Sequence, residues 1–401
     1  MFNILSHIPS SIKKLHKNIL PKKGNGSWIV DIKNDSYLDL TSGIGALSTG
    51  YSHPTIITEV YKQLHNLVHI PQQVFMSHPA QIRLTEKLIN IMPCKSLDNI
   101  FYVNSGSEAT DNAIKIARSY TNKTNIISMT RGFHGRSLGA LSVTSSNISS
   151  KYNLQPLMSG VFFCNDFSKE SLDKILTYHT SPEETSAIIL EPIQGESGIF
   201  SIPEDFLKYV QKVCNEHNIM FIADEVQCGS GRTGTWWNVE QKNVIPDIMT
   251  FGKGIASGFP LAGVVSRSEI MNSLRPGTLG GTYGGNAIVS VAASTTIDII
   301  ENENLLENAN IMGAKIYNEL NSIESIKEIR QHGLMIAIDF GDTSGSTSRL
   351  VVQKLRENGI LVLTAGINDQ YIRLLPHLNI SNNDLFYFIN KFKKIMSEFN
   401  D

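Results

Sequence analysis

Between residues 99 and 266, short apolar runs alternate with stretches whose apolar positions recur at helical spacing. Seven β-rich runs, at 99–103, 125–130, 160–164, 187–191, 219–224, 248–251 and 261–265, are flanked by Gly, Pro or Asn. Runs of this kind predict strands buried on both faces. Helical patterns at 111–120, 171–178 and 204–216 fall between them. The alternation predicts an α/β fold with a mainly parallel sheet covered by helices. After a long helical stretch at 287–323 the pattern changes. Runs at 334–340, 360–364 and 371–375 read as strands, 347–358 as a helix, and Ser381 with Asp384 opens a last helix to 399. A large domain at 51–290 is therefore expected, with a smaller α+β domain built from 1–50 and 291–401.

Composition narrows the function classes. The 401 residues exceed one ordinary core of about 100–200 residues. With 41% hydrophobic and 18% charged residues the chain has a globular composition, not a disordered one. Its 35 basic and 37 acidic residues leave a net charge of −2, without the basic footprint of a nucleic-acid binder or a membrane-surface protein. No apolar run approaches the about 18 residues needed to span a bilayer. The four cysteines at 94, 164, 214 and 228 form no C-x-x-C pair, and no histidines form H-E-x-x-H, so no metal site is expected. Free thiols point to a reducing compartment and a cytoplasmic protein. The first 23 residues carry five lysines and no acid. They read as an N-terminal helix leading into the fold, with a mitochondrial transit segment as the alternative.

Ligands of such sheets bind beyond the carboxyl ends of the strands, which directs attention to the residues just past each run. After the first comes Asn104-Ser105-Gly106-Ser107-Glu108, an S-x-x-E capping box whose exposed N–H groups also make an anion site. After the second, Gly132-Phe133-His134-Gly135-Arg136 is either a polar loop or a ring and an arginine for a planar, carboxylate-bearing ligand. Glu191 and Glu196 stand at the end of the fourth. Asp224 ends the fifth, where a buried acid needs a cationic partner. The segment 229–234 matches G-x-G-x-x-G, a weak nicotinamide signal because no helix-opening sequence comes after it. Lys253, flanked by glycines after the sixth run, is either a snorkelling lysine or a partly desolvated amine suited to Schiff-base chemistry. A phosphate site, an aromatic plate, a buried acid and an amine together are the set that pyridoxal phosphate requires.

The motifs NSGSEA at 104–109, GFHGR at 132–136, EPIQGE at 191–196, DEVQCGSGRTG at 224–234, FGKG at 251–254, GGTYGGN at 280–286 and IRLLP at 372–376 carry a resemblance over nearly the whole chain. It resembles the class III, fold-type I pyridoxal-phosphate aminotransferases. Asp224, Lys253 and Thr282 succeed one another at equal steps of 29 residues, in the family's order. The resemblance implies pyridoxal 5'-phosphate as cofactor, joined to Lys253, which also shuttles the proton. It implies that Asp224 pairs with the pyridine nitrogen, that Gly106 and Ser107 hold the phosphate, and that Phe133 and Val226 pack on the ring. Gln227 is expected at the phenolic oxygen, Glu191 near the amine-binding region, and Thr282 at the phosphate of a partner subunit, which implies a homodimer.

For substrates, Arg136 and Arg373 resemble the family's two carboxylate-binding arginines, with Glu196 as the acid that neutralises Arg373. The run 276–283 resembles that of 4-aminobutyrate aminotransferases, and Ile44 stands where ornithine δ-aminotransferases present a tyrosine to the donor. The expectation is an ω-amino acid donor and 2-oxoglutarate as acceptor. Acetylornithine or ornithine, and ω-amine:pyruvate or alanine–glyoxylate exchange, are the alternatives.

Overall fold

The computed structural model describes residues 9, 19–71 and 76–398. Seven strands form the central sheet: β1 (Asn99–Val103), β2 (Asn125–Met129), β3 (Val161–Cys164), β4 (Thr185–Leu190), β5 (Met220–Asp224), β6 (Ile248–Phe251) and β7 (Ala262–Ser266). Their spatial order is β1-β7-β6-β5-β4-β2-β3. All are parallel except β7, which runs antiparallel between β1 and β6. Every residue of β4 and β5 is buried, and alternate residues feed cores on opposite faces. Phe221 and Ala223 join Ile188 and Leu190 on one side, while Ile222 joins Ala187 and Ile189 on the other. Each fully buried large aliphatic or aromatic side chain contributes about 1.5–3 kcal/mol.

The covering helices begin and end on local signals. Helix α1 (Gly106–Thr121) starts at Ser105, whose hydroxyl accepts from Glu108 N, and stops at Asn122 in the left-handed region (φ 54°). Glu108 reaches back to the N–H of Asn104, one residue before the cap, at 2.8 Å. Helix α2 (Glu204–His217) carries two acids in its first turn and ends on left-handed Asn218.

Both chain ends contribute to a second region. A four-stranded sheet joins Pro21–Asn25, Trp28–Asp31, Ser36–Asp39 and Ile360–Leu361. An antiparallel sheet joins Glu328–His332, Met335–Asp339, Tyr371–Leu374 and Leu363–Ala365. These surround their own core, with Leu38, Ile336, Leu374 and Phe388 in it. Three expectations need correction, and one strand lies where none was expected. The stretch 287–323 is two helices, α3 (Ala287–Asn302) and α4 (Leu305–Leu320), because Asn304 takes φ 52° between them. The run 360–364 is split between the two sheets. The strand Glu328–His332 was not foreseen, because its sequence EIRQH buries only Ile329. Lys22 and Lys23 lie on a strand, not a helix, while the rest of the lysine-rich start, through residue 18, lies outside the described residues except Pro9. No helix among the described residues is long and apolar enough to cross a membrane, and all four cysteines are unpaired.

Candidate active site

The segments at the carboxyl ends of β1, β2, β4, β5 and β6 meet at one cavity of about 190 Å³. Ser105, Gly106 and Ser107, then Phe133, His134 and Gly135, then Glu191, then Asp224, Val226 and Gln227, and finally Lys253 line it. This is the edge at which an open α/β sheet binds its ligands.

Asp224 ends β5 as a 4% exposed carboxylate. Its Oδ1 accepts from Thr250 Oγ1 at 3.0 Å and from Val226 N at 3.1 Å. Its Oδ2 lies 2.7 Å from Nδ1 of His134. Burial disfavours a charge on His134, yet the Asp224 bond and charge, helped by Glu191, raise its pKa above the ordinary value. Glu191 accepts from the N–H of Phe133 at 2.8 Å and of Gly195 at 3.3 Å, so it fixes the backbone that carries the aromatic ring. Burial pushes its pKa up to about 7, with Asp224 adding to the rise and His134 opposing it.

Lys253 opens a short helical turn with φ 43°. Burial pulls its amine below the ordinary range against the attraction of Glu196, and Arg373 lowers it further. Elsewhere on the cavity wall, the N-terminus of α1 presents bare N–H groups, an anion site in itself. Side chains are excluded from this cradle. A Cβ on Gly106 would lie 2.8 Å from Val226 Cγ1, and one on Gly135, at φ 132°, would lie 2.3 Å from Ser107 Oγ. The Ser107 hydroxyl accepts from Arg136 N at 3.0 Å and keeps its own proton to donate.

Residues 11–396 match the class-III aminotransferase family. The chain is a class-III aminotransferase. This aminotransferase is 36% identical over 390 residues to the probable 4-aminobutyrate aminotransferase of Bacillus subtilis (strain 168), covering 90% of this chain and 89% of that protein. It is 35% identical over 369 residues to the acetylornithine aminotransferase of Archaeoglobus fulgidus, covering 92% and 93%. Among solved structures, the ornithine aminotransferase from Toxoplasma gondii, described with partial occupancy of PLP, superposes with a TM-score of 0.88 at 27% identity, covering 99% of this chain and 94% of that one.

Class-III aminotransferases depend on pyridoxal phosphate, and the residues present fit that cofactor. A helix N-terminus with a serine suits the phosphate, Phe133 and Val226 suit a flat ring, and a buried carboxylate and a buried amine line the same cavity. The remaining foreseen residues lie outside the cavity lining. Arg373, 3% exposed, pairs through Nη1 with Glu196 Oε1 at 2.7 Å and donates to Gln227 Oε1 at 3.4 Å. Burial resists ionisation of Glu196, but the guanidinium overrides it and holds the carboxyl below its ordinary range. Arg136 is exposed, its guanidinium 6.0 Å from the Phe133 ring centre. Ile44 is 46% exposed, on a left-handed turn at residues 42–45. Thr282 is exposed and does not line this cavity.

His134 and Thr250, which hold Asp224, received no role from the sequence. A histidine between Phe133 and Gly135 was visible in the motif, but nothing in its spacing pointed to an acid 90 positions away. The G-x-G-x-x-G match at 229–234 is no nucleotide loop. Arg232 within it is buried and donates to the carbonyls of Leu334 and Pro376. Gly231 packs against Leu378, and the next helix, Asn238–Gln241, has only four residues.

Proposed function

We propose that the enzyme moves the amino group of an ω-amino acid resembling 4-aminobutyrate to 2-oxoglutarate, giving a semialdehyde and glutamate. The Glu196–Arg373 pair, 2.7 Å long with a 3% exposed guanidinium, carries this reading. A donor with no carboxylate beside its amine needs Arg373 neutralised, which Glu196 does while Arg136 takes the distant carboxylate. A diacid displaces Glu196 and engages both arginines. Bound pyridoxal phosphate supplies the electron sink for the carbanion. Asp224, oriented by His134 and Thr250, would hold the pyridine nitrogen protonated. Gly106 and Ser107 would hold the phosphate, Phe133 and Val226 would confine the ring, and Gln227 would meet the phenolic oxygen. Lys253, its amine made less basic by burial, binds the cofactor and carries the proton on and off the substrate carbon. Glu191 positions Phe133, and Ile44 faces the donor.

The same reading assigns the cofactor to a large domain at 51–290 and Arg373 to a small one made from 1–50 and 291–401. The active unit is a homodimer in which Thr282 reaches the partner's phosphate. Helix Pro54–Leu64 leaves Ile57, Tyr61 and Leu64 exposed at helical spacing, an apolar stripe for a second subunit. Four unpaired cysteines suit the cytoplasm. A half-reaction panel with 4-aminobutyrate, 5-aminovalerate, acetylornithine, ornithine, β-alanine and alanine tests the donor. Acceptors 2-oxoglutarate, pyruvate and glyoxylate complete it. The proposal expects 4-aminobutyrate or 5-aminovalerate to react fastest and 2-oxoglutarate to restore the starting spectrum. Fastest reaction with acetylornithine would favour the second reading, which the Archaeoglobus relative supports.

A further inference from the structure

Glu196 sits in the bend of a small hairpin, Ile193–Gln194 paired with Phe200–Ser201. The hairpin meets strand Tyr371–Leu374, on which Tyr371 and Arg373 share one face, two residues apart. Arg373 takes the Glu196 carboxylate. Tyr371 takes the other arm of the hairpin: its ring centre lies 5.8 Å from that of Phe200, edge to face.

Arg330 closes this second contact. Its Nε donates to Gly198 O at 2.7 Å. Its guanidinium lies 4.3 Å from the centre of the Phe200 ring and 4.5 Å from that of Tyr371. Glu328 and Asp339 balance its charge, and the side chain is 10% exposed. Arg131 adds a second guanidinium 5.1 Å from the same Phe200 ring. Further pins hold the backbone: Gly366 N donates to Glu196 O at 2.9 Å, and Gln194 Nε2 donates to Thr130 O at 3.0 Å. None of these contacts uses the Glu196 carboxylate. The frame is therefore fixed while the carboxylate can still leave Arg373.

We propose that Arg330 is a positioning residue for substrate discrimination, holding the hairpin so that Glu196 masks Arg373 for donors lacking a carboxylate beside the amine. The inference rests on the two-arginine reading above. A preorganised Glu196 keeps its charge-assisted bond to Arg373 without an ordering cost. A diacid brings its own carboxylate to Arg373 and gains nothing from the hairpin's placement. Loosening the clamp thus weakens the enzyme toward ω-donors and leaves glutamate and 2-oxoglutarate largely untouched.

Two variants perturb the clamp differently. Arg330→Lys keeps the charge facing Glu328 and Asp339 but removes the planar stack and the Nε bond. Phe200→Leu removes the ring and leaves Arg330 in place. Half-reactions of the purified holoenzymes are measured with glutamate and with 4-aminobutyrate, or the fastest ω-donor of the panel. In both variants the ratio of ω-donor to glutamate kcat/KM is expected to fall about tenfold, between the sizes of an exposed and a fully desolvated cation–π contact. In a Glu196→Gln background, Arg330→Lys is expected to change that ratio by less than about twofold, because Arg330 acts through Glu196. Equal losses with both substrates, or a ratio change that persists without the Glu196 carboxylate, would overturn the proposal. An Arg373→Ala enzyme that still accepts 2-oxoglutarate normally would instead remove the reading beneath it.

Discussion

Replacing Arg373 with alanine tests the substrate side of the site most sharply. In the structure Arg373 Nη1 is 2.7 Å from Glu196 Oε1 and 3.4 Å from Gln227 Oε1. The guanidinium is 3% exposed, whereas the Glu196 side chain is 30% exposed. Breaking a buried ion pair from one side costs about 3–5 kcal/mol, because the remaining charge is stranded. The 2-oxoglutarate carboxylate takes the place of Glu196 and is stranded in the same way, and the 30% exposure of that position places the loss near the lower end. About 3 kcal/mol corresponds to roughly 10²-fold at 1.36 kcal/mol per decade. Single-turnover measurements should therefore show kcat/KM for 2-oxoglutarate falling about 10²-fold. The ω-donor, whose carboxylate is assigned to Arg136, should lose less than about tenfold. Glu196, released from its partner, should also titrate at a higher pH than in the parent enzyme. An unchanged 2-oxoglutarate half-reaction would refute the assignment of Arg373.

Other perturbations have equally definite outcomes. Glu225 is fully buried, bonded by Cys228 Sγ at 3.0 Å and Val239 N at 2.7 Å, and burial pushes its pKa from 4.5 up to about 7. The folded state therefore holds a proton that the unfolded chain releases above its ordinary pKa, so stability declines as pH rises through that window. The decline attributable to Glu225 is about 3 kcal/mol. Urea unfolding of Glu225→Gln should lack this share of the decline, so the variant gains on the parent between pH 5 and pH 8; parallel pH profiles for the two proteins would refute the argument. Gly135→Ala would set a Cβ 2.3 Å from Ser107 Oγ at φ 132°, a strain of about 1–3 kcal/mol. Equilibrium dialysis should show pyridoxal phosphate held at least about fivefold more weakly; unchanged affinity would mean that the cradle is elsewhere. His134→Phe removes the group 2.7 Å from Asp224 and should shift the pH midpoint of the cofactor's visible band, which an orienting role for His134 requires.

Much of the large sheet was legible because its strands are buried on both faces. Runs such as Ile188, Ile189 and Leu190 have no polar alternation to confuse with a helix. The strand ends were legible for a related reason. Polar residues stand out against apolar runs, and Asp224 and Lys253 are costly to place there without a use. The C-terminal region was harder. Residues 360–364 look like one strand, yet Val362 marks the point where the chain passes from one sheet to another. That change depends on Ser36–Asp39, more than 300 positions earlier. The strand Glu328–His332 hides behind charge, since Arg330 is half-buried by stacking on Phe200 and Tyr371 and not by being apolar. The His134–Asp224 contact joins segments 90 residues apart. Only the folded sheet, which sets β2 and β5 on either side of β4, brings them together.

A pyridoxal-phosphate site built from five strand ends requires Lys253 as its reactive amine. Borohydride reduction of the purified holoenzyme, followed by proteolysis and mass mapping, tests it directly. Loss of the visible band and a single reduced cofactor adduct on Lys253 are expected. An adduct on another lysine, or a protein that gains no visible band with added pyridoxal phosphate, would contradict it.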